Sequence, residues 1–85
     1  MNRTTAYSIA AKTLEAYRIM GFELLKSKIG TRAEEDVSAD GWLFRVITHV
    51  GWSSSEKHSI RVRCLVHDNS SFRFDPLEED VIIAR

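Results

Sequence analysis

The stretch FRVITHVGWSSSEKHSIRVRCLVH, residues 44–67, alternates between two kinds of side chain over most of its length. Its two halves are rich in β-branched and aromatic residues and are separated by a serine-rich segment, which is the pattern of an antiparallel hairpin. We therefore predict one strand over Trp42–Trp52 and a second over His58–His67. If Trp52 faces His58, the pairs on the core side are Val50 with Ile60, Thr48 with Val62, Val46 with Cys64, and Phe44 with Val66.

The opposite face of this hairpin mixes aliphatic and arginine side chains. A sheet face open to water usually carries threonine, serine, lysine and glutamate, whereas apolar groups mixed with arginine are typical of interfaces. His49 and His67 lie at the two ends of this face. The predicted interface residues are Leu43, Arg45, Ile47, Arg61, Arg63, Leu65 and Arg73.

The N-terminal segment predicts one long helix over Thr4–Ile29. Apolar side chains recur there at steps of three and four residues, Thr4 or Thr5 can cap its start, and Gly30 is a natural left-handed stop. About 26 residues at 1.5 Å each give about 39 Å, whereas four strands at 4.8 Å each span only about 19 Å. The helix therefore lies nearly along the strands, bends at Gly21, or extends onto a second subunit.

The connection between the helix and the hairpin is polar. Thr31–Gly41 is acidic and has no sustained period, so we predict a loop, with Val37 as the candidate for a short strand. The acidic run Glu34–Asp36 is typical of a solvated connection.

The C-terminal segment carries a turn sequence followed by two short elements. A three-residue loop after the hairpin directs Phe72 and Phe74 to the core and Arg73 outward, on a short third strand. Asp75–Glu78 has the cap and proline of one helical turn. Residues 81–83 are apolar and predict a final strand, with a short terminal helix within residues 76–84 as the alternative.

Together these elements predict a single α+β domain over residues 1–85, with one long N-terminal helix packed on one face of a three- to four-stranded antiparallel meander sheet. A chain of this size buries only about 60–65% of the surface it exposes when unfolded, so association stabilises it. We therefore expect a homodimer. Because twelve basic and twelve acidic residues cancel, no overall field attracts nucleic acid or an anionic membrane.

The single cysteine, Cys64, lies within an apolar strand pattern and has no second cysteine with which to form an internal disulfide, which suits a reducing compartment. No apolar run approaches the length of about 18 residues that a membrane helix needs, and the N-terminus lacks the apolar stretch of a signal peptide. We expect a cytoplasmic location. The chain begins at Met1 and ends just after a strand, which is typical of a complete small prokaryotic gene product.

Reactive side chains are present without an arrangement that favours chemistry. Cys64 belongs to the predicted core row, whereas His49 and His67 belong to the opposite row, so no cysteine–histidine pair forms. The histidines lack the spacing of a zinc site and the glycines lack that of a phosphate-binding loop. We therefore expect no catalytic residue, no cofactor and no metal, and we favour binding over catalysis.

Aromatic residues give one candidate ligand pocket. In a helix-plus-sheet domain the concave side of the sheet can enclose a small apolar ligand, although the same side chains can simply fill the core. The candidate lining residues are Tyr7, Tyr17, Trp42, Phe44 and Trp52.

Three interpretations of the arginine-bearing face compete. It can dock on a second copy or another protein, with its arginines reaching acidic segments such as Glu34–Asp36 or Glu78–Asp80. It can bind an anion, although nucleic acid is disfavoured because no exposed aromatic platform accompanies the arginines. It can also be a solvated sheet face. We favour a non-enzymatic interaction module that self-associates through this face or through the long helix. The alternatives are a domain that binds a small molecule or an anion, nucleic acid included, and a small enzyme.

A helix followed by GWLFRVITHVGW, SIRVRCLVH, SFRFDP and DVIIA resembles the small helix-on-antiparallel-sheet domains of the cystatin-like group, which includes shorter relatives of the nuclear-transport-factor-like fold. The resemblance covers most of the chain and rests on the order of elements. It implies the architecture given above. That group contains inhibitors, ligand binders, enzymes and dimerisation modules, so the resemblance leaves the function open.

Overall fold

A computed structural model describes residues 2–68 and 76–85 of the chain. All four strands pair antiparallel with their sequence neighbours, and the helix packs on one face of the resulting sheet, mainly over the third and fourth strands. The α+β prediction is confirmed. The elements are α1 (Arg3–Lys26), β1 (Arg32–Ala39), β2 (Trp42–Trp52), β3 (Ser59–Asp68) and β4 (Leu77–Ala84).

Helix α1 begins at a different cap from the one predicted. The side chain of Asn2 accepts a hydrogen bond from the amide of Thr5 at 3.1 Å, so Asn2 takes the role assigned to Thr4 or Thr5. The helix ends at Lys26 instead of Ile29, and the amide of the following residue donates back into the last turn. Gly30 has a φ of +85°, but it lies four residues beyond Lys26, the end of the helix it was expected to stop.

Gly21 interrupts α1, which is one of the three solutions that the helix length required. Its φ of 79° and ψ of 169° are not helical and belong to a region that only glycine adopts readily. The short segment after the break places the ring of Phe22 6.0 Å from that of Trp52 and buries Leu25 completely. The break therefore lets a long helix segment and a short one both contribute to one small core.

The segment predicted as a loop before the hairpin is strand β1, so the loop is wrong, whereas Val37, the candidate for a short strand, does lie in a strand. Its residues pair with β2 from Arg32 opposite His49 to Ala39 opposite Trp42. Asp40 and Gly41 join the two strands with positive φ values of 52° and 79°. Two such residues form the tight turn whose twist matches that of a hairpin. The Asp40-Gly41 pair was the sequence signal for β1. The charged residues of the strand hid that signal.

The β2–β3 hairpin keeps the predicted faces in a shifted register. Trp52 lies opposite Ile60 instead of His58, and the hairpin is closed by the amide of Ser53 donating to the carbonyl of Ser59 at 3.0 Å. Because the shift is two residues, every side chain keeps its face. The inner face, toward α1, therefore carries the predicted core row, and the outer face carries the arginine-bearing row.

The described part of the C-terminal segment, residues 76–85, forms one strand. Leu77 and Glu78 belong to β4, so the helical turn predicted there and the alternative terminal helix are both wrong. Ile83 lies opposite Ile60 and packs against the core. The predicted third strand with Phe72, Arg73 and Phe74, and the three-residue loop before it, lie outside the described residues. Asp68, predicted to start the turn, is the last residue of β3.

The core lies between α1 and the inner face of the sheet. One polar pair lies at the edge of the core. The hydroxyl of Tyr17 is 3.0 Å from the hydroxyl of Thr48, and Thr48 is buried. The buried apolar residues are Ala6, Ala10, Leu14, Leu25, Phe44, Val46, Val50, Ile60, Val62, Cys64, Val66 and Leu77. All of the hairpin residues among them have even numbers, which confirms the alternation.

We predict that Gly21→Ala lowers the free energy of unfolding by about 1–3 kcal/mol, because the added side chain strains a backbone that the fold holds at positive φ. No atom lies within 4 Å of the added methyl group, so a clash contributes nothing. Urea denaturation measures the change. Gly51→Ala is the matched control, since that site is equally open and its φ is not positive. Equal effects at the two sites would contradict the argument.

Candidate interaction surface on the outer face

The centre of the outer face is a pair of aliphatic side chains. Ile47 on β2 lies directly opposite Leu65 on β3, and both are half-buried although α1 is on the other side of the sheet. Glu34 of β1 flanks Ile47, and Glu78 of β4 flanks Leu65. One row across all four strands thus has an apolar centre with a carboxylate at each end.

Four arginines surround this centre, and each has a carboxylate partner on its own or a neighbouring strand. The Nε of Arg45 lies 3.3 Å from Asp36. The Nε of Arg61 donates to Asp80 at 2.6 Å, and that of Arg63 donates to Glu78 at 2.9 Å. Arg32 pairs with Glu34 along β1. Such exposed pairs contribute about 0–1 kcal/mol each, so their main effect is to neutralise the face.

The acidic segments expected to bind these arginines from a partner are therefore strands of the same sheet. Glu34 and Asp36 lie on β1, and Glu78 and Asp80 lie on β4, one on each side of the hairpin. They were missed as part of the face because β1 was taken for a loop and residues 75–78 were taken for a helical turn. No alternation in the sequence reveals them, since Glu35 and Glu79 make each run acidic at three consecutive positions.

Six of the seven residues predicted for the interface lie on one face of the sheet, while their role in an interface stays a prediction. Leu43 is exposed near one end of β2, and His49 lies between Arg32 and Arg63 in one row across the sheet. Arg73 lies outside the described residues. The members that the structure places on the outer face are Leu43, Arg45, Ile47, Arg61, Arg63 and Leu65.

A shallow cavity of about 320 Å³ lies at one end of β2 and β3. Its lining includes the side chains of His49, Arg61 and Arg63, together with Gly51 and Trp52. Both arginines are already paired with carboxylates, which lowers the positive charge that an entering anion would meet.

The residues of the candidate aromatic pocket lie in different places. Phe44 is completely buried in the core, and Trp42 is exposed at the start of β2. Tyr7 lines a cavity between α1 and β4, Tyr17 lines a second cavity between α1 and β1, and Trp52 lines the cavity beside His49. The last three side chains thus belong to three separate cavities.

Cys64 has the surroundings of a structural thiol. It is completely buried, and burial, with a smaller contribution from the nearby Glu35 carboxylate, raises the pKa of the thiol from 9.0 to about 11. At neutral pH the thiol is protonated and inaccessible, so it is a poor nucleophile. Within residues 2–68 and 76–85, no three histidine, cysteine or acidic side chains are grouped so that they could hold a metal ion.

Comparison with protein-family models finds no match, and comparisons with curated proteins and with solved structures likewise find none. Among the described residues, no helix combines the length and apolar character needed to cross a membrane. The geometry of the outer face is therefore the basis on which a function can be assigned.

We predict that the stability of the chain falls as pH rises from about 9 to about 11 because of Cys64. The folded-state pKa lies above the unfolded one, so the folded chain binds more protons in this window and its free energy of unfolding decreases there. Two pKa units correspond to about 2–3 kcal/mol. Denaturation of Cys64→Val across the same range should lack this decrease. Parallel pH profiles for the two proteins would contradict the assignment.

Proposed function

We propose that the chain is a non-enzymatic protein-interaction module that self-associates through the outer face of its sheet. The observation that carries this proposal is the half-buried pair of Ile47 and Leu65, set among arginines that are already neutralised by carboxylates. When a second copy docks on this face, it buries the aliphatic centre. The two faces do not repel each other, because the arginines of each are neutralised by carboxylates.

The shape of the face supports a second copy as the occupant. Two sheets pack face to face at about 10 Å, and most homo-oligomers use a two-fold axis that brings the same patch together from both copies. A two-fold axis near Ile47 and Leu65 places the apolar centres in contact and the rims of ion pairs around them. An interface with an apolar core and a polar rim is the usual anatomy of such contacts.

A cytoplasmic location and a relation to the cystatin-like group belong to the same proposal. The buried, unpaired Cys64 supports a reducing compartment. The long helix on one face of an antiparallel meander supports the resemblance in architecture. That group includes dimerisation modules, which agrees with an interaction role.

We predict that replacing both Ile47 and Leu65 with glutamate halves the mass of the assembly and leaves the fold intact. Each copy would bring two carboxylates into the apolar centre, where burying unpaired charge raises the dissociation constant by about a hundredfold or more. Light scattering after size-exclusion chromatography measures the mass, and circular dichroism checks the fold. Ile19→Glu is the control, because Ile19 is 77% exposed on α1, away from the sheet. An unchanged mass would contradict docking through this face.

The cavity beside His49 favours a second candidate function, the binding of a small anion. If Arg61 and Arg63 exchange their carboxylate partners for phosphate, the double change Arg61→Ala and Arg63→Ala abolishes phosphate binding. Calorimetric titration with inorganic phosphate measures it. Arg18→Ala is the control, since Arg18 is also paired with a carboxylate but lies on α1. Failure of the unmodified chain to bind phosphate would contradict this candidate.

A further inference from the structure

The two edge strands of the sheet differ in how they are protected. Charged side chains on an edge discourage pairing with another chain. Strand β1 carries them at four of its eight positions, Arg32 and 34–36. The last four residues of β4, 81–84, carry none, and Ile82 among them is 53% exposed. The uncharged end of β4 is therefore the less protected edge.

The backbone of β4 presents hydrogen-bonding groups on this free edge. The amide of Arg85 donates to the carbonyl of His58 on the β3 side at 3.1 Å. In an antiparallel pair, residues alternate between bonding to the neighbouring strand and facing away from it. The amides and carbonyls of Asp80, Ile82 and Ala84 consequently point away from β3, toward the position of a further strand.

We propose that this position is occupied by β4 of a second copy, antiparallel, with Ile82 opposite Ile82 of the second copy. The two four-stranded sheets then form one continuous eight-stranded sheet. The bonds that form are those between the two Ile82 residues and between each Asp80 and Ala84 of the other copy. Within residues 2–68 and 76–85, no strand pairs with this edge and α1 lies on a face of the sheet, so none of these elements blocks the second strand.

Charge selects this alignment among its neighbours. Residues directly opposite each other in an antiparallel pair have their side chains on the same face of the sheet. The alternative alignments that keep this match place another residue of β4 on the two-fold axis. Placing Asp80 on the two-fold axis would set two carboxylates against each other. Placing Val81 there would set Glu79 against an apolar residue. With Ile82 on the axis, Glu79 lies opposite Arg85 of the second copy.

The inner face offers a groove that matches the side chains brought by this alignment. A cavity of about 210 Å³ lies between α1 and β4, and its lining includes Leu14, Val81 and Tyr7, which is 54% exposed. The charged residues of the lining are Glu79, Asp80 and the ion pair of Glu15 with Arg18. Ile83 of the second copy stands opposite Val81, at the apolar wall of the groove. Arg85 of the second copy stands opposite Glu79, at its acidic wall.

The position of α1 also agrees with the spacing of such a pair. The helix contacts β3 and β4 to a similar extent, so its axis lies near the line between them. The helix axis and the two-fold axis lie on opposite sides of β4, each at half a strand spacing from it. With strands about 4.8 Å apart, the two helices related by the two-fold axis would lie about 9.6 Å apart. Packed helices are separated by about 8–10 Å, so the two α1 helices would meet as the strands pair.

This inference goes beyond the proposed function and does not depend on it, because the residues of the β4 edge are different from those of the outer-face centre. If both contacts form, the unmodified chain is a tetramer, and removal of either contact leaves a dimer. The edge is therefore tested in the Ile47→Glu, Leu65→Glu background, in which outer-face docking is removed.

In that background we expect a dimer, and we expect Ile82→Pro to convert it to a monomer. Proline at this position removes an amide that faces the free edge, which a strand tolerates, and it spares the bonds to β3. Ser38→Pro is the matched control, since Ser38 is an exposed residue at the same kind of position on β1. A monomeric background, or an Ile82→Pro variant that stays dimeric, would overturn the inference and leave the outer-face proposal to its own test.

A disulfide provides a second measurement that does not depend on how the strand tolerates proline. Hydrogen-bonded residues opposite each other have Cα atoms about 5.5 Å apart, which is within the range of a disulfide. In a Cys64→Val chain, Ile82→Cys should form a linked dimer under mild oxidation at least about tenfold faster than Ser38→Cys at the other edge. Equal rates for the two variants would overturn the proposed alignment.

Discussion

The rest of this structure depends on one constraint: in the part of the chain that the structure describes, a single helix covers only one face of a four-stranded sheet. Side chains of a strand alternate between faces, so half of the residues in β2 and β3 must lie away from α1. The even-numbered ones form the core, and the odd-numbered ones, including Ile47 and Leu65, must be accommodated without a covering layer. The ion pairs of the outer face serve this purpose. They place charged groups over a sheet that still contains an aliphatic centre, and they leave that centre without net charge around it.

Strand β1 shows where the sequence was sufficient and where it was misleading. The Asp40-Gly41 pair specifies a tight hairpin, and with it the pairing of the whole strand. The strand itself has little apolar content because its inner face lies beyond the cover of α1, so hydrophobic alternation could not reveal it. The same error hid two of the four ion pairs, since the partners of Arg32 and Arg45 are both on β1. A wrong element thus produced a wrong expectation about charge.

The β2–β3 hairpin shows the opposite case. Its faces were predicted correctly because a two-residue slip does not change which side a residue occupies. Its register was not, because the loop that sets it holds Lys57 at a φ of 61°, a conformation for which the sequence gives no specific signal. The break in α1 was predicted only in part. The length of the helix and Gly21 together indicated a bend, while the extended ψ of Gly21 had no sequence signal.

The two edges of the sheet determine whether association through β4 gives a closed pair or an open filament. Pairing of β4 with β1 of another copy would leave the same two edges free again, and it would continue into an open filament. Charge opposes that arrangement, because β4 carries Glu78, Glu79 and Asp80, and β1 carries three carboxylates against one arginine. Pairing of β4 with itself separates its acidic residues to the two ends of the contact, next to Arg85. It also consumes both unprotected edges and leaves only the charged β1 edges outside. The asymmetry between the edges therefore favours a closed pair, whose two outer faces lie side by side on one continuous sheet.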